Sequence, residues 1–220
     1  AALAEEIGAE AAAMFVDKVE PYAATVYDDS DLPLRRKLSE RFGDDARDEL
    51  LDIFQEAWLT GEDIAWIADQ GFNVVRVPMT YRSLVTGPDL DKPTSLAFNE
   101  LAFKRLDRLL HWCEKHRVYA VLDIQEAPGG QNDFKGVCLL YDDPELQELT
   151  VRLWTEIASR FGDHSAVAAY SLLAEPFGAP DADTRDAMYD KLYKAIRALG
   201  DNHLLIIHDD MDLPFGRIRV

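Results

Sequence analysis

Cysteine is nearly absent. Cys113 and Cys138 are the two in 220 residues, and they fit no metal or redox spacing. Both read as free thiols, Cys113 in a helical pattern and Cys138 in a loop. Basic residues are scarce, 23 against 41 acidic ones, for a net charge of -18. An acidic surface repels phosphate backbones and anionic headgroups, so neither a nucleic acid nor a membrane is expected as a partner. No apolar run reaches about 18 residues, which excludes a transmembrane helix. The opening "AALAEEIGAE" has no basic start and no long apolar core, so it is not a secretory signal. A leader removed ahead of Ala1 would still fit a secreted parent; the residues themselves name no compartment. No G-x-G-x-x-G follows a strand pattern and no G-x-S-x-G exists, which removes support for a dinucleotide fold and for a serine hydrolase. His111 and His116 lie five apart on one helix, not at the i, i+4 ligand spacing. His208, Asp209 and Asp210 read as a solvated cluster. No metal and no cofactor is expected.

What is present is an ordinary globular composition, 48% hydrophobic and 29% charged, in a chain long enough for one domain with a sizeable core. "DARDELLDIFQEAW" places Leu50, Leu51, Phe54 and Trp58 at helical spacing. In "TGEDIAWIADQG", Thr60 can cap a helix, Asp63 lies three residues on, and Gly71 stops it. The valine-rich "FNVVRVPM" (72–79) reads as a buried strand. A polar loop, "RSLVTGPDLDKPTS", leads to a helix over "LAFNELAFKRLDRLLHWCEKHR". The series continues with strand "VYAVLDIQ" (118–125), loop "EAPGGQNDFKG" and helix "DPELQELTVRLWTEIASRFG". Strand "AVAAYSLLAE" (166–175), helix "DTRDAMYDKLYKAIRALG" and strand "HLLIIHDD" complete it.

Such alternation implies an α/β fold with parallel strands and right-handed crossovers. A doubly wound sheet and a (β/α)8 barrel both satisfy it. The chemically useful side chains stand at the carboxyl ends of strands: Arg76, Asp123, Gln125, Glu126, Glu175, His208 and Asp209. Both folds place their sites there. At about 44 residues per βα unit, eight units need roughly 350 residues, within the barrel range. On that spacing a (β/α)8 reading gives residues 38–220 about half of a barrel, behind an N-terminal segment of residues 1–37.

Three stretches, "TGEDIAWIADQGFNVVRVPMTYR", "VYAVLDIQEAPGGQND" and "HSAVAAYSLLAEPFG", resemble glycoside hydrolase family five, the cellulase and exo-glucanase type. "LWTEIASRFG" resembles the family's helix between the last two. The resemblance covers roughly residues 38 to 207. It implies a (β/α)8 barrel that cleaves β-linked glucosides or glucans with retention. Retaining hydrolysis uses two carboxyls about 5–5.5 Å apart. The resemblance makes Glu175 the acid/base, at the end of the fourth strand, and gives Arg76 the task of holding the nucleophile carboxylate. Gln125, Ala174 and Glu126 are the other positions expected against substrate. Asp123 is expected to anchor local backbone or an arginine.

Two residues depart from the family pattern. Asparagine precedes the acid/base in the family, where Ala174 can neither donate nor accept. Histidine ends the family's third strand, where Gln125 can hydrogen bond but cannot take up or release a proton at working pH. By the resemblance the chain holds about the first half of a (β/α)8-type barrel, strands one to five, with a degenerate first strand within residues 1–37: its place reads "EIGAEAAAMFVD", which favours helix. The family's nucleophile belongs to the seventh strand and its aromatic sugar platform to the eighth. The chain is therefore expected to be inactive or severely impaired. The alternative is a non-catalytic half-barrel that binds carbohydrate, or one that pairs as a homodimer through its exposed sheet face.

Overall fold

The computed structural model describes residues 32–86, 93–132, 138–200 and 205–206. The chain divides into two compact units, Ala1–Asp52 and Ile53–Val220. In the first, helix α1 (Leu32–Phe42) ends at Gly43, whose φ of 86° suits a residue without Cβ. Helix α2 (Asp44–Trp58) follows. Arg47 is buried there and donates to Ser39, Asp44 and Asp48. The apolar stripe expected on α2 stays in solvent: Leu50, Phe54 and Trp58 are all exposed, and Phe54 and Trp58 contact each other with ring centroids 5.2 Å apart.

The second unit carries the sheet. Helix α3 (Gly61–Asp69) starts on the expected capping box: Asp63 N–H donates to Thr60 Oγ1, and the Asp63 carboxylate accepts from Thr60 N–H. Strand β1 (Val74–Thr80) comes next, then the short helix α4 (Tyr81–Leu84), β2 (Val85–Thr86) and β3 (Ala97–Phe98). Helix α5 (Glu100–His116), β4 (Tyr119–Glu126), helix α6 (Pro144–Phe161), β5 (Val167–Ser171), helix α7 (Ala182–Arg197) and β6 (Leu205–Ile206) complete the order. The main sheet runs β1-β4-β5-β6, every pairing parallel. The expected α/β class with parallel strands is what forms. The place expected for the first strand lies outside the described residues.

Boundaries differ from expectation: "RSLV", expected in a loop, falls on α4 and β2, and β1 starts at Val74. The helix expected from Leu96 begins at Glu100, because Asn99 caps it by accepting from Leu101 and Ala102 N–H. Ala97 and Phe98 instead pair antiparallel with β2. Strand β5 stops at Ser171, four residues before Glu175.

The pleat separates two faces. On one, Met79, Ala120, Leu122, Ile124 and Tyr170 are buried. The helices cover it with residues at i, i+3, i+4 spacing: Leu106, Leu109, Leu110 and Cys113 from α5, and Leu153, Trp154, Ile157 and Phe161 from α6. Helix α7 packs on α6 and adds Met188, Leu192 and Ile196. Burial pushes the Cys113 thiol up to about 11. The other face carries Val74, Arg76, Val121, Gln125 and Ser171, which line an open cavity. Among the described residues, no helix is long and apolar enough to cross a membrane.

Candidate active site

The cavity has a volume of about 410 Å³ and is lined by Val74, Arg76, Val121, Gln125, Ser171, Leu173, Ala174 and Glu175. Its polar residues come from adjacent strands and the segment that follows β5. Arg76 Nη2 donates both to Asp123 Oδ2 and to Gln125 Oε1, each at 2.9 Å. Asp123 is fully buried beneath it, and its Oδ1 has no hydrogen-bond partner among the described residues. A charge-assisted bond to a buried carboxyl fixes the guanidinium plane better than solvent would. The expected arginine anchor is thus Arg76, across the β1–β4 pairing. Because Gln125 Oε1 is used by Arg76, its amide N–H groups are left for whatever enters the cavity.

Glu175 stands at the cavity rim with an exposed side chain. Its φ is 49°, in the left-handed region that non-glycine residues seldom adopt. The chain around it leaves the sheet, yet its carbonyls are nearly all held. Trp154 Nε1 donates to Leu172 O at 2.9 Å, and Tyr189 OH to Leu173 O at 2.9 Å. Gln131 Nε2 donates to Ala174 O at 2.8 Å, and Tyr141 OH to Pro176 O at 3.5 Å. Burial pushes the Tyr141 phenol well above the ordinary tyrosine range, so it keeps its proton as a donor. Phe177 N–H closes the turn onto Glu175 O at 2.9 Å. Each buried carbonyl left unmet would cost about 1–3 kcal/mol, so this ring of donors is what keeps an irregular, strained segment in one place.

The family profile described as Cellulase (glycosyl hydrolase family 5) matches residues 50–211. This chain belongs to glycosyl hydrolase family 5. It is 31% identical over 191 residues to a β-xylosidase of Phanerodontia chrysosporium, covering 83% of this chain and 38% of that protein. It is 30% identical over 182 residues to glucan 1,3-β-glucosidase 2 of Saccharomyces cerevisiae, covering 73% and 32%. Endoglucanase C of Acetivibrio thermocellus is 31% identical over 153 residues, covering 69% and 43%. The chain spans less than half the length of these relatives. In fold it is similar to the crystal structure of a glycoside hydrolase (TM-score 0.57, 23% identity, 68% of this chain and 46% of that one). It is also similar to Thermotoga maritima Cel5A with cellobiose, mutant form (TM-score 0.54, 22% identity, 68% and 43%).

Of the positions expected against substrate in this family 5 chain, the structure brings Arg76, Gln125, Ala174 and Glu175 to one cavity. It does not bring Glu126 there. Glu126 is buried, and its Oε1 accepts from Arg82 Nη1 at 2.6 Å. The bulge between Met79 and Thr80 sets Thr80 opposite Glu126, beside the α4 turn that carries Arg82. Glu126 is paired with Arg82 and does not line the cavity. Three residues that organise the site carry no mark of that role in the sequence: Gln131, Tyr141 and Trp154. Gln131 in "APGGQN" and Trp154 in "LWTEIASRFG" fall within the stretches that carry the resemblance, but their partners are main-chain atoms that no side-chain pattern encodes. Among the described residues, no cluster of His, Cys, Asp or Glu could hold a metal.

Proposed function

We propose that this chain is the acid/base-bearing part of a (β/α)8-type glycoside hydrolase acting on β-linked glucosides or glucans, with Glu175 as its acid/base. One observation carries the reading. A solvent-open glutamate stands past the carboxyl end of a parallel strand, on a cavity shared with Arg76 and an amide donor. Parallel α/β folds bind ligands at that end of the sheet. A carboxyl there can protonate a leaving glycosidic oxygen and then take a proton from water. Arg76 and Gln125 are suited to hydroxyl and carboxyl oxygens. Ala174 contributes only a small apolar surface. The relatives, a β-xylosidase, a glucan 1,3-β-glucosidase and an endoglucanase, support a β-glycoside as substrate class.

Retention needs a second carboxyl about 5–5.5 Å from the first. Among the described residues, Glu175 is the only carboxyl lining the cavity. On this reading the described residues supply one of the two carboxyls, and poor turnover of a bound β-glycoside is the expected result. With p-nitrophenyl β-D-glucoside, turnover is expected about 10³-fold or more below the ~10 s⁻¹ typical of enzymes. Glu175→Gln should lower what activity remains at least about tenfold further. Turnover near the typical value would contradict the one-carboxyl reading. Activity indifferent to Glu175→Gln would contradict its assignment as the acid. The homodimer expected through the sheet face draws no support from a structure of one chain.

A further inference from the structure

The end of β4 with the loop that follows it, and the segment after β5, bring Gln125 and Glu175 to the cavity and are joined by one side chain. Gln131 is fully buried at 1% exposure. Its Oε1 accepts from Ala127 N–H at 3.0 Å. Its Nε2 donates to Gln125 O at 2.8 Å and to Ala174 O at 2.8 Å. Its own carbonyl accepts from Gly178 N–H at 3.1 Å. The carboxamide therefore bonds to both sides of the boundary between β4 and β5. One bond lands on Gln125 itself and another on the residue before Glu175. Gln131 does not line the cavity.

We infer that Gln131 is a positioning residue: its carboxamide locks the loop after β4 to the segment after β5 and so holds Glu175 in its left-handed conformation facing Arg76 and Gln125. Donor count singles out the amide. A primary amide offers two N–H donors and an acceptor; here both donors meet carbonyls and the acceptor meets an amide N–H. A carboxylate of the same size has no donors and would face two carbonyl oxygens. An apolar isostere would leave both carbonyls unmet in a buried place. A left-handed non-glycine residue persists only where its surroundings over-determine it. The tether on Ala174 O is one residue from Glu175, and the same side chain also binds the β4 loop. Gly178 fits the same closure. A Cβ there would meet Cys138 Sγ, and would lie 3.1 Å from the Gln131 carbonyl.

The inference rests on Glu175 as the acid/base, but its test reads position alone, so the two can fail separately. In the unaltered chain, the Gln131 side-chain amide protons should exchange with solvent far more slowly than those of the cavity-facing Gln125. Exchange of the two at the same rate overturns the lock. Gln131→Met keeps the length of the side chain and removes its donors. The HN–Hα coupling and amide shifts of Glu175 should then leave their left-handed values, with changes concentrated at 125–127 and 172–178. A folded Gln131→Met with Glu175 signals unchanged also overturns it. The substitution should lower the folded-to-unfolded ratio by about tenfold or more. In a Glu175→Gly background that loss should shrink several-fold, since glycine takes the left-handed backbone without a tether. Equal losses in both backgrounds would show a tie that stabilises the loops without positioning Glu175, and would overturn the inference.

Discussion

Trp154→Ala should cost about 4 kcal/mol or more, the largest loss expected from any single change here. The indole is fully buried in the α6 face that covers the sheet, and it packs on Tyr170 with ring centroids 5.3 Å apart. Truncating a buried tryptophan typically costs about 3–5 kcal/mol through lost transfer energy and the cavity left behind. The Nε1–H bond to Leu172 O goes with it, and an unmet buried carbonyl adds about 1–3 kcal/mol. Trp154→Phe separates the two contributions: it keeps most of the volume and loses the donor, so a loss of about 1–3 kcal/mol is expected. Urea unfolding of both variants measures the difference. Equal stability of Trp154→Phe and the parent would show that Leu172 O is satisfied without the indole. A domain of this size holds only about 5–15 kcal/mol in total, so Trp154→Ala brings it close to unfolding.

The second large effect lies in the Arg82–Glu126 pair. Glu126→Ala is expected to cost about 3 kcal/mol or more in the same unfolding experiment. Both side chains are buried, 4% and 10% exposed, and meet at 2.6 Å. Removing one partner leaves the other charge in a low-dielectric place, which typically costs about 3–5 kcal/mol. Replacing both together, as in Arg82→Met with Glu126→Leu, should cost far less, because no uncompensated charge remains. The Arg82 guanidinium also lies over the Tyr81 ring, 4.8 Å from its centroid, so Arg82→Met gives up that cation–π attraction as well. If Glu126→Ala and the double replacement are equally stable, the pair is not a desolvated unit. If Glu126→Ala is as stable as the parent, Glu126 is free for another task and the second-carboxyl question reopens.

Much of the fold is legible in the sequence because its signals are local. Thr60, Asp63 and Gly71 bracket α3 by side-chain and backbone chemistry that three residues carry alone. The valine-rich run 72–79 does give a strand, but not the buried one expected: Phe72 and Val74 are exposed and only Met79 is buried, because one face of β1 opens on the cavity. Local propensity fails where a partner decides. Leu96 to Asn99 look helical, but Asn99 caps and Phe98 finds Val85. The α2 stripe has helical spacing, yet Phe54 and Trp58 remain exposed. "RSLV" reads as polar loop, whereas Arg82 is buried on a short helix by a carboxylate 44 residues away. Among seven polar strand-end residues, Glu175 and Arg76 are singled out by the family resemblance, and both line one cavity. Gln131 cannot be picked out, because its role is written in hydrogen bonds to main-chain oxygens of strand β4 and of the segment after β5.

The central claim is that the Arg76–Gln125–Glu175 cavity is where a β-linked sugar sits. Titrating the ¹⁵N-labelled chain with millimolar cellobiose and following amide signals tests it most directly. The account predicts shifts concentrated at Arg76, at the Gln125 side-chain amide and at 171–175, and their loss in Arg76→Ala. Shifts confined instead to the groove formed by Leu59, Met79, Leu106 and Trp112 on the opposite sheet face, or shifts at the cavity that survive Arg76→Ala undiminished, would contradict it.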